Sequence, residues 1–476
     1  MNTNFVIENR LNELPEDSEN LNLKGLCIYS MPCIIKFKYI RSIDISRNKI
    51  SKLSRDIFTC NIILEKLNCS HNNLTELPEL NTSLVELICS NNKLKRLPML
   101  NYCLKTLDCS NNSITILPVF NLNLETLFCN NNELVYLPEF NAGLKNVDCS
   151  FNRISILPKF NISLISFNCS NNEIKSLPNF NISLGYMDCS NNSIEIIPPL
   201  NVCLKKFNCD NNILIKISEL NNGLLFLSCS NNKLTELPEL NKSLTLLNCS
   251  FNNITKLPPL NYYLLTLDCR NNYIYQLPKL NDYLDELICE FNNITYIDNL
   301  NYNLRTLNCS HNSITHIVKL NQNLIYLECN DNRLEYLPEM NQNLNSLYCS
   351  NNKIKTIPKL SPNLNTLYCS SNYLTFLPCL ENGYLNYLYY DGNPIYRYNI
   401  INNYRLNVTI VKNKTFNKFR ETYFIVKYRV KFIQWFLKSQ REKIENKFSP
   451  NNLKKILDNV NDEDEEMFDK ILENWK

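Results

Sequence analysis

A solenoid of short parallel strands is the fold this sequence predicts, and three regularities predict it. Between residues 61 and 380 the chain divides into sixteen units of 20 residues without insertion. Large apolar residues and one asparagine return at fixed positions in each unit. Cysteine falls once per unit, from Cys69 through Cys109, Cys129 and Cys229 to Cys369. Self-similarity at a period near twenty residues marks stacked units, each burying its apolar side only against its neighbours.

A typical unit places apolar or special residues at Leu104, Leu107, Cys109, Asn112, Ile114, Leu117, Pro118 and Phe120. The next repeats the pattern at Leu124, Leu127, Cys129, Asn132, Leu134, Leu137, Pro138 and Phe140. Leu107 and Cys109 alternate inward across a short strand, with the period of two that strands require. Asn112 falls where the chain turns out of the strand. There a buried amide can donate to and accept from backbone groups that a buried bend leaves unpaired. Asn112, Asn132 and Asn232 are therefore read as rungs of a structural ladder, as are Cys109, Cys129 and Cys229. One cysteine per turn reads as a small, reduced core residue. The rival readings are disulfides or a metal site, and a metal needs ligands converging in a tetrahedron. Pro118 fixes φ and supplies no donor, which suits an extended, polyproline-like convex side. About seventeen turns stacked ~4.8 Å apart should extend about 80 Å. The proline column is interrupted by Ser218, Asp298 and Val318, where curvature is expected to change.

Residues 1–60 are read as an N-terminal cap with irregular first repeats. Ile40, Ile43, Ile45, Asn48 and Ile50 already fit the strand-and-turn pattern, although 24 residues separate Asn48 from Asn72. Residues 381–400 form a closing repeat, with Tyr390 in the cysteine column and Asn393 in the asparagine column. Residues 401–476 change character: from Lys412 to Lys447 there are 11 Lys and Arg against three Glu, interleaved with aromatics. Spacings of three and four predict a small helical tail, with further helices over 450–459 and from Met467 to Trp475. A basic aromatic helix can pack on its own chain, fill a partner's groove, or touch a membrane or nucleic acid.

A formal net charge of +3 over 476 residues requires no nucleic-acid or membrane partner. No basic leader precedes an apolar run, and no apolar stretch approaches the length of a membrane span. The expected location is intracellular. No catalytic residue, cofactor site or metal site is predicted. His71, His311 and His316 are the only histidines and assemble no dyad or cluster, and no phosphate loop or nucleophile motif is present. The chain is read as no enzyme.

What remains is the strand face turned away from the core, the usual binding surface of a solenoid. Tyr348, Tyr368, Tyr387 and Tyr389 form an aromatic strip at its C-terminal end, and tyrosine suits interfaces. Asp108, Asp148 and Asp188 make a second, mildly acidic set. Both are candidate partner-binding residues. A column beside the ladder asparagine carries Phe151, Phe251 and Phe291.

The 20-residue unit with its Leu-Pro step resembles the bacterial effector type of leucine-rich repeat, so the fold class is a leucine-rich-repeat solenoid. Some such effectors carry a cysteine-dependent ubiquitin-ligase domain. Here the last cysteine is Cys379, inside the repeats, which argues against that activity. The Leu-x-Cys-Ser-x-Asn units, the Asn- and Ile-rich composition and the basic aromatic tail are also similar to leucine-rich-repeat proteins of giant amoeba-infecting DNA viruses. That resemblance implies a viral protein in the host cytoplasm or packaged in a particle, and points to no particular biochemical activity. The expected function is a protein-interaction scaffold for an unidentified protein, of the host if the chain is viral. The alternatives are a self-assembling or virion component, and an adaptor recruiting a host enzyme such as a ubiquitin ligase.

Overall fold

The computed structural model describes Ile7, residues 11–59, 63–377 and 385–395, and the short strand Thr409–Ile410. The chain divides into two compact units, Met1–Thr409 and Ile410–Lys476. The helices expected beyond residue 401 lie outside the described residues.

Within the first unit each repeat contributes a three-residue strand, such as Thr106–Asp108 and Thr126–Phe128. These strands join a 20-stranded sheet. Successive strands are parallel and in register by one repeat, with Thr106 opposite Thr126, Leu107 opposite Leu127 and Asp108 opposite Phe128. The central residue points into the core and its neighbours point out, so Leu107 and Cys109 are both buried and Thr106 and Asp108 line the opposite face. Leu104, Ile114 and Leu117 close the rest of each wedge. A buried leucine of this kind contributes roughly 1.5–3 kcal/mol.

The sheet starts earlier than the repeat pattern indicates. Asn20–Asn22 pairs in parallel with Ser42–Asp44, and Leu21, Leu23 and Ile28 are buried, so part of the region read as a cap is a turn of the solenoid. The long interval between Asn48 and Asn72 is absorbed by a helical turn, Asp56–Thr59, which buries Ile57 and Phe58. At the other end Thr366–Tyr368 pairs with Tyr387–Tyr389.

The asparagine ladder runs through the whole stack. Asn112 Nδ2 donates to the carbonyls of Cys89, Cys109 and Ser110 at 3.1 Å each, and its Oδ1 accepts from Leu94 N at 2.9 Å. The same set recurs from Asn48 to Asn393. A second asparagine ladder, passed over in the sequence, occupies the column from Asn81 to Asn341. Asn181 Nδ2 donates to Leu164 O at 3.0 Å and also to Asn161 O, while its Oδ1 accepts from Leu184 N at 2.8 Å. It fastens the turn entering each strand as the first ladder fastens the turn leaving it.

The residue before each ladder asparagine adopts a left-handed conformation. Asn91, Asn111 and Asn131 have φ of 56°, 54° and 54°, and Phe151, Phe251 and Phe291 have 54°, 53° and 54°. Asparagine tolerates this region because its short amide bonds locally, whereas other L-residues carry a cost of about 1–2 kcal/mol. The Asn-Asn pairs thus have two separate causes, a backbone one at the first residue and a hydrogen-bonding one at the second.

The convex side is extended, and between Tyr136 and Ile156 it forms a single parallel bridge. Where Asp298 and Val318 replace proline in adjacent repeats, Tyr296–Asn299 and His316–Lys319 pair as a two-stranded parallel sheet. Proline removes a donor and disfavours such pairing. Its loss from two neighbouring turns permits a ladder, while Ser218, alone between Pro198 and Pro238, has no such neighbour. Among the described residues no helix is long and apolar enough to cross a membrane.

Candidate recognition surface

Each strand presents its first and third residues on the concave face. At the C-terminal end the third-residue column holds Tyr348, Tyr368 and Tyr389 in direct register. Their rings form a continuous row, with centroids 4.7 Å apart between Tyr348 and Tyr368 and 4.0 Å between Tyr368 and Tyr389. Tyr326, in the first-residue column, extends the row at 5.4 Å from Tyr348 and donates its hydroxyl to Glu328 Oε2 at 2.6 Å. Tyr387 is exposed and lies in the flanking column, in register with Thr366. The strip expected from the sequence is therefore a row of three rings, Tyr368 stacked on Tyr389 and Tyr348 tilted against Tyr368, with Tyr387 beside it. Tyr326, which shares the first-residue column with Tyr387, was not singled out from the sequence because Ser346 and Thr366 separate the two tyrosines.

Asp108, Asp148 and Asp188 share one column on alternate strands, separated by Phe128 and Asn168. Each carboxylate already caps a local turn. Asp108 Oδ1 accepts from Ser110 N at 3.0 Å and Ser110 Oγ at 2.7 Å, and Asp148 does the same with Ser150 at 2.9 and 2.6 Å. Asp188 Oδ1 accepts from Ser190 N at 2.9 Å, and its Oδ2 from Asn208 Nδ2 at 3.2 Å. Asn68 and Asn248 fill the same role with Ser70 and Ser250. This column is set first by turn capping, which explains its Asp and Asn content.

The middle of the concave face carries a group the sequence reading did not single out. Arg270 stands where most repeats have serine, 2.8 Å from Asp268 and 3.3 Å from Glu290. Glu290 also accepts from Asn308 Nδ2 at 3.0 Å. Burial raises the Asp268 carboxyl above its ordinary value, and the adjacent guanidinium opposes the shift. Phe251 and Phe291 flank this repeat in left-handed conformation and are partly exposed. Phe291 stacks on His311 with centroids 4.0 Å apart, and His311 Nε2 lies 3.5 Å from Asp331 Oδ2. The signal available in the sequence was the break in the serine column at Arg270 and Glu290.

The cysteine column is fully buried from Cys69 to Cys349. Desolvation pushes the Cys69 and Cys369 thiols up to about 12, and holds those between them well above the ordinary range. Cys149 and Cys209 donate Sγ–H to the next strand's carbonyl at Asn168 (3.4 Å) and Ser228 (3.3 Å). A thiol so protonated is a packing group, and no nucleophile. Cys27, Cys33, Cys103 and Cys203 are exposed free thiols. Among the described residues no group of three or more His, Cys, Asp or Glu is placed to hold a metal ion.

Twenty-residue turns, a parallel concave sheet and an asparagine ladder define a leucine-rich-repeat solenoid. No protein-family model and no curated sequence matches the chain. Solved structures do. YopM from Yersinia pestis, a leucine-rich effector protein, is 31% identical over 68% of this chain and 88% of its own, with a TM-score of 0.56. YopM from Yersinia enterocolitica is 29% identical over 76% of this chain and 89% of its own, with a TM-score of 0.61. The functional domain of InlJ from Listeria monocytogenes, which includes a cysteine ladder, is 29% identical over 63% and 69%, with a TM-score of 0.53. The chain belongs to the leucine-rich-repeat proteins and is similar to the bacterial effector type.

Proposed function

We propose that the chain is a non-catalytic scaffold that recognises a protein partner on its concave face, with the C-terminal tyrosine row as the main contact. The observation that carries this reading is the row itself. Tyr348, Tyr368 and Tyr389 pack ring against ring and are partly exposed, so they present area and hydroxyls with little rotamer freedom left to lose. Phe251 and Phe291 support it: two partly exposed phenylalanines occupy a backbone conformation that asparagine fills elsewhere at lower cost.

Proximity labelling of the full chain in its native cell, followed by mass spectrometry, tests the reading. A small set of proteins enriched by the wild type and depleted by a Tyr348→Ala, Tyr368→Ala double variant supports it. An identical set from both proteins, with equal melting temperatures, overturns the assignment of the tyrosine row.

A further inference from the structure

The turn that enters each strand carries one residue outward at its tip. In six consecutive repeats this residue is Tyr102, Leu122, Ala142, Ile162, Ile182 and Val202. The five large ones are 66%, 68%, 73%, 72% and 76% exposed. The ridge has definite ends, because the same position is Thr82 before it and Asn222 after it. Side chains one turn apart stand ~4.8 Å apart, so the ridge runs roughly 24 Å along one edge of the solenoid. It is held rigidly. The second asparagine ladder fastens each turn, with Asn121 accepting from Asn123 N at 2.9 Å, Asn161 from Ser163 N at 3.1 Å and Asn201 from Leu204 N at 2.7 Å.

At on the order of 100 Å² per side chain the ridge exposes roughly 500 Å² of apolar surface, near the upper end of what a soluble monomer shows in one patch. Its own residues and their turn partners, Cys103, Asn123, Gly143, Ser163, Ser183 and Cys203, include no charge.

We infer that this ridge is a homodimer contact, covered by the same ridge of a second copy running antiparallel. A second copy has the matching pitch by construction, and a two-fold axis between Ala142 and Ile162 makes the ridge self-complementary. Tyr102 then faces Val202, Leu122 faces Ile182, and the large Ile162 faces the small Ala142. On one flank Glu139 of each copy faces Lys159 of the other; on the opposite flank Lys105 meets Lys205, and both are exposed and able to turn into solvent. Covering both ridges buries roughly 1,000 Å², the lower bound for a specific interface, so the dimer is expected to form and dissociate with concentration.

The test is sedimentation of the full chain over a range of micromolar concentrations, using two charge variants. Leu122→Glu with Ile182→Glu, and Leu122→Lys with Ile182→Lys, place like charges opposite one another in each homodimer. The wild type should rise with concentration from the 55.8 kDa monomer toward twice that mass. Each variant alone should stay monomeric with an unchanged melting temperature, and an equimolar mixture should dimerise. A wild type monomeric throughout, variants that associate as well as the wild type, or a mixture that does not recover would each overturn the inference. Co-sedimentation of a monomeric wild type with neutral phospholipid vesicles, lost in both variants, would assign the ridge to a bilayer instead.

Discussion

Asn232 is bonded to Cys209 across a full turn of the solenoid: its Nδ2 donates to the Cys209 carbonyl at 3.0 Å. The same amide donates to Cys229 O at 3.1 Å and Ser230 O at 3.2 Å, and its Oδ1 accepts from Leu214 N at 3.0 Å. One side chain thus completes backbone groups belonging to two repeats. Replacing it with alanine strands Leu214 N–H inside the stack, at a cost of about 1–3 kcal/mol. Asn232→Ala should lower the urea midpoint and speed amide exchange at Leu214. Stability within about 0.5 kcal/mol of wild type would contradict this role.

The second ladder makes an independent prediction. Asn341 donates to Asn321 O at 2.6 Å and Leu324 O at 3.0 Å, and accepts from Asn343 N at 2.9 Å and Leu344 N at 2.6 Å. Asn341→Ala should cost about as much as Asn232→Ala, although this column was not singled out from the sequence. Chemical denaturation of the two variants side by side provides the comparison. A neutral Asn341→Ala would reduce the second ladder to a decoration.

These two ladders show how far the sequence could be read. The period, the inward Leu107 and Cys109, the turn at Asn112 and the extended convex side were all legible, because each is a local consequence of residue type and spacing. The second ladder was equally periodic, but its asparagine stands outside the strand and bonds to the preceding turn, so spacing alone gave no reason for it. The left-handed φ at Asn111 was hidden because two adjacent asparagines admit one explanation when there are two. The pairing of Tyr296–Asn299 with His316–Lys319 needed two neighbouring repeats to lose proline together, a relationship visible only once the turns are stacked. At the candidate surface, the clustered tyrosines at the C-terminal end could be seen to coincide, while Tyr326 stands alone in its part of the sequence and the Asp268–Arg270–Glu290 group joins columns that sequence treats separately.

Phe151 tests the left-handed column directly. It is exposed, with φ of 54°. Phe151→Asn should raise stability by about 1 kcal/mol, since the backbone bond from its N–H to Ser170 O at 2.9 Å is kept. Equilibrium denaturation measures it, and a destabilised variant would mean that the ring contributes packing the conformation does not reveal.

The buried thiols set an alkaline limit. An exposed thiol ionises near pH 9.0, whereas Cys69 and Cys369 are pushed up to about 12 by burial. Between those values the folded state holds protons the unfolded chain has released. Stability is therefore fully present below pH 9.0 and falls as pH rises toward 12, by up to about 1.4 kcal/mol per pH unit for each thiol. Circular dichroism should show loss of the sheet within that window. Alkylation at neutral pH should mark exposed Cys103 and Cys203 while sparing Cys109 and Cys209, and early modification of Cys109 would contradict the ladder.

The concave face as recognition surface is the central claim, and a paired comparison tests it most directly. The full chain, the concave variant Tyr348→Ala with Tyr368→Ala, and a variant of exposed tyrosines off the concave strands, Tyr336→Ala with Tyr373→Ala, are compared for binding to the partners the wild type captures, with thermal melts alongside. The account predicts that the concave variant loses those partners at an unchanged melting temperature while the other variant keeps them. Loss confined to the Tyr336 and Tyr373 variant, or equal binding by all three, would contradict it.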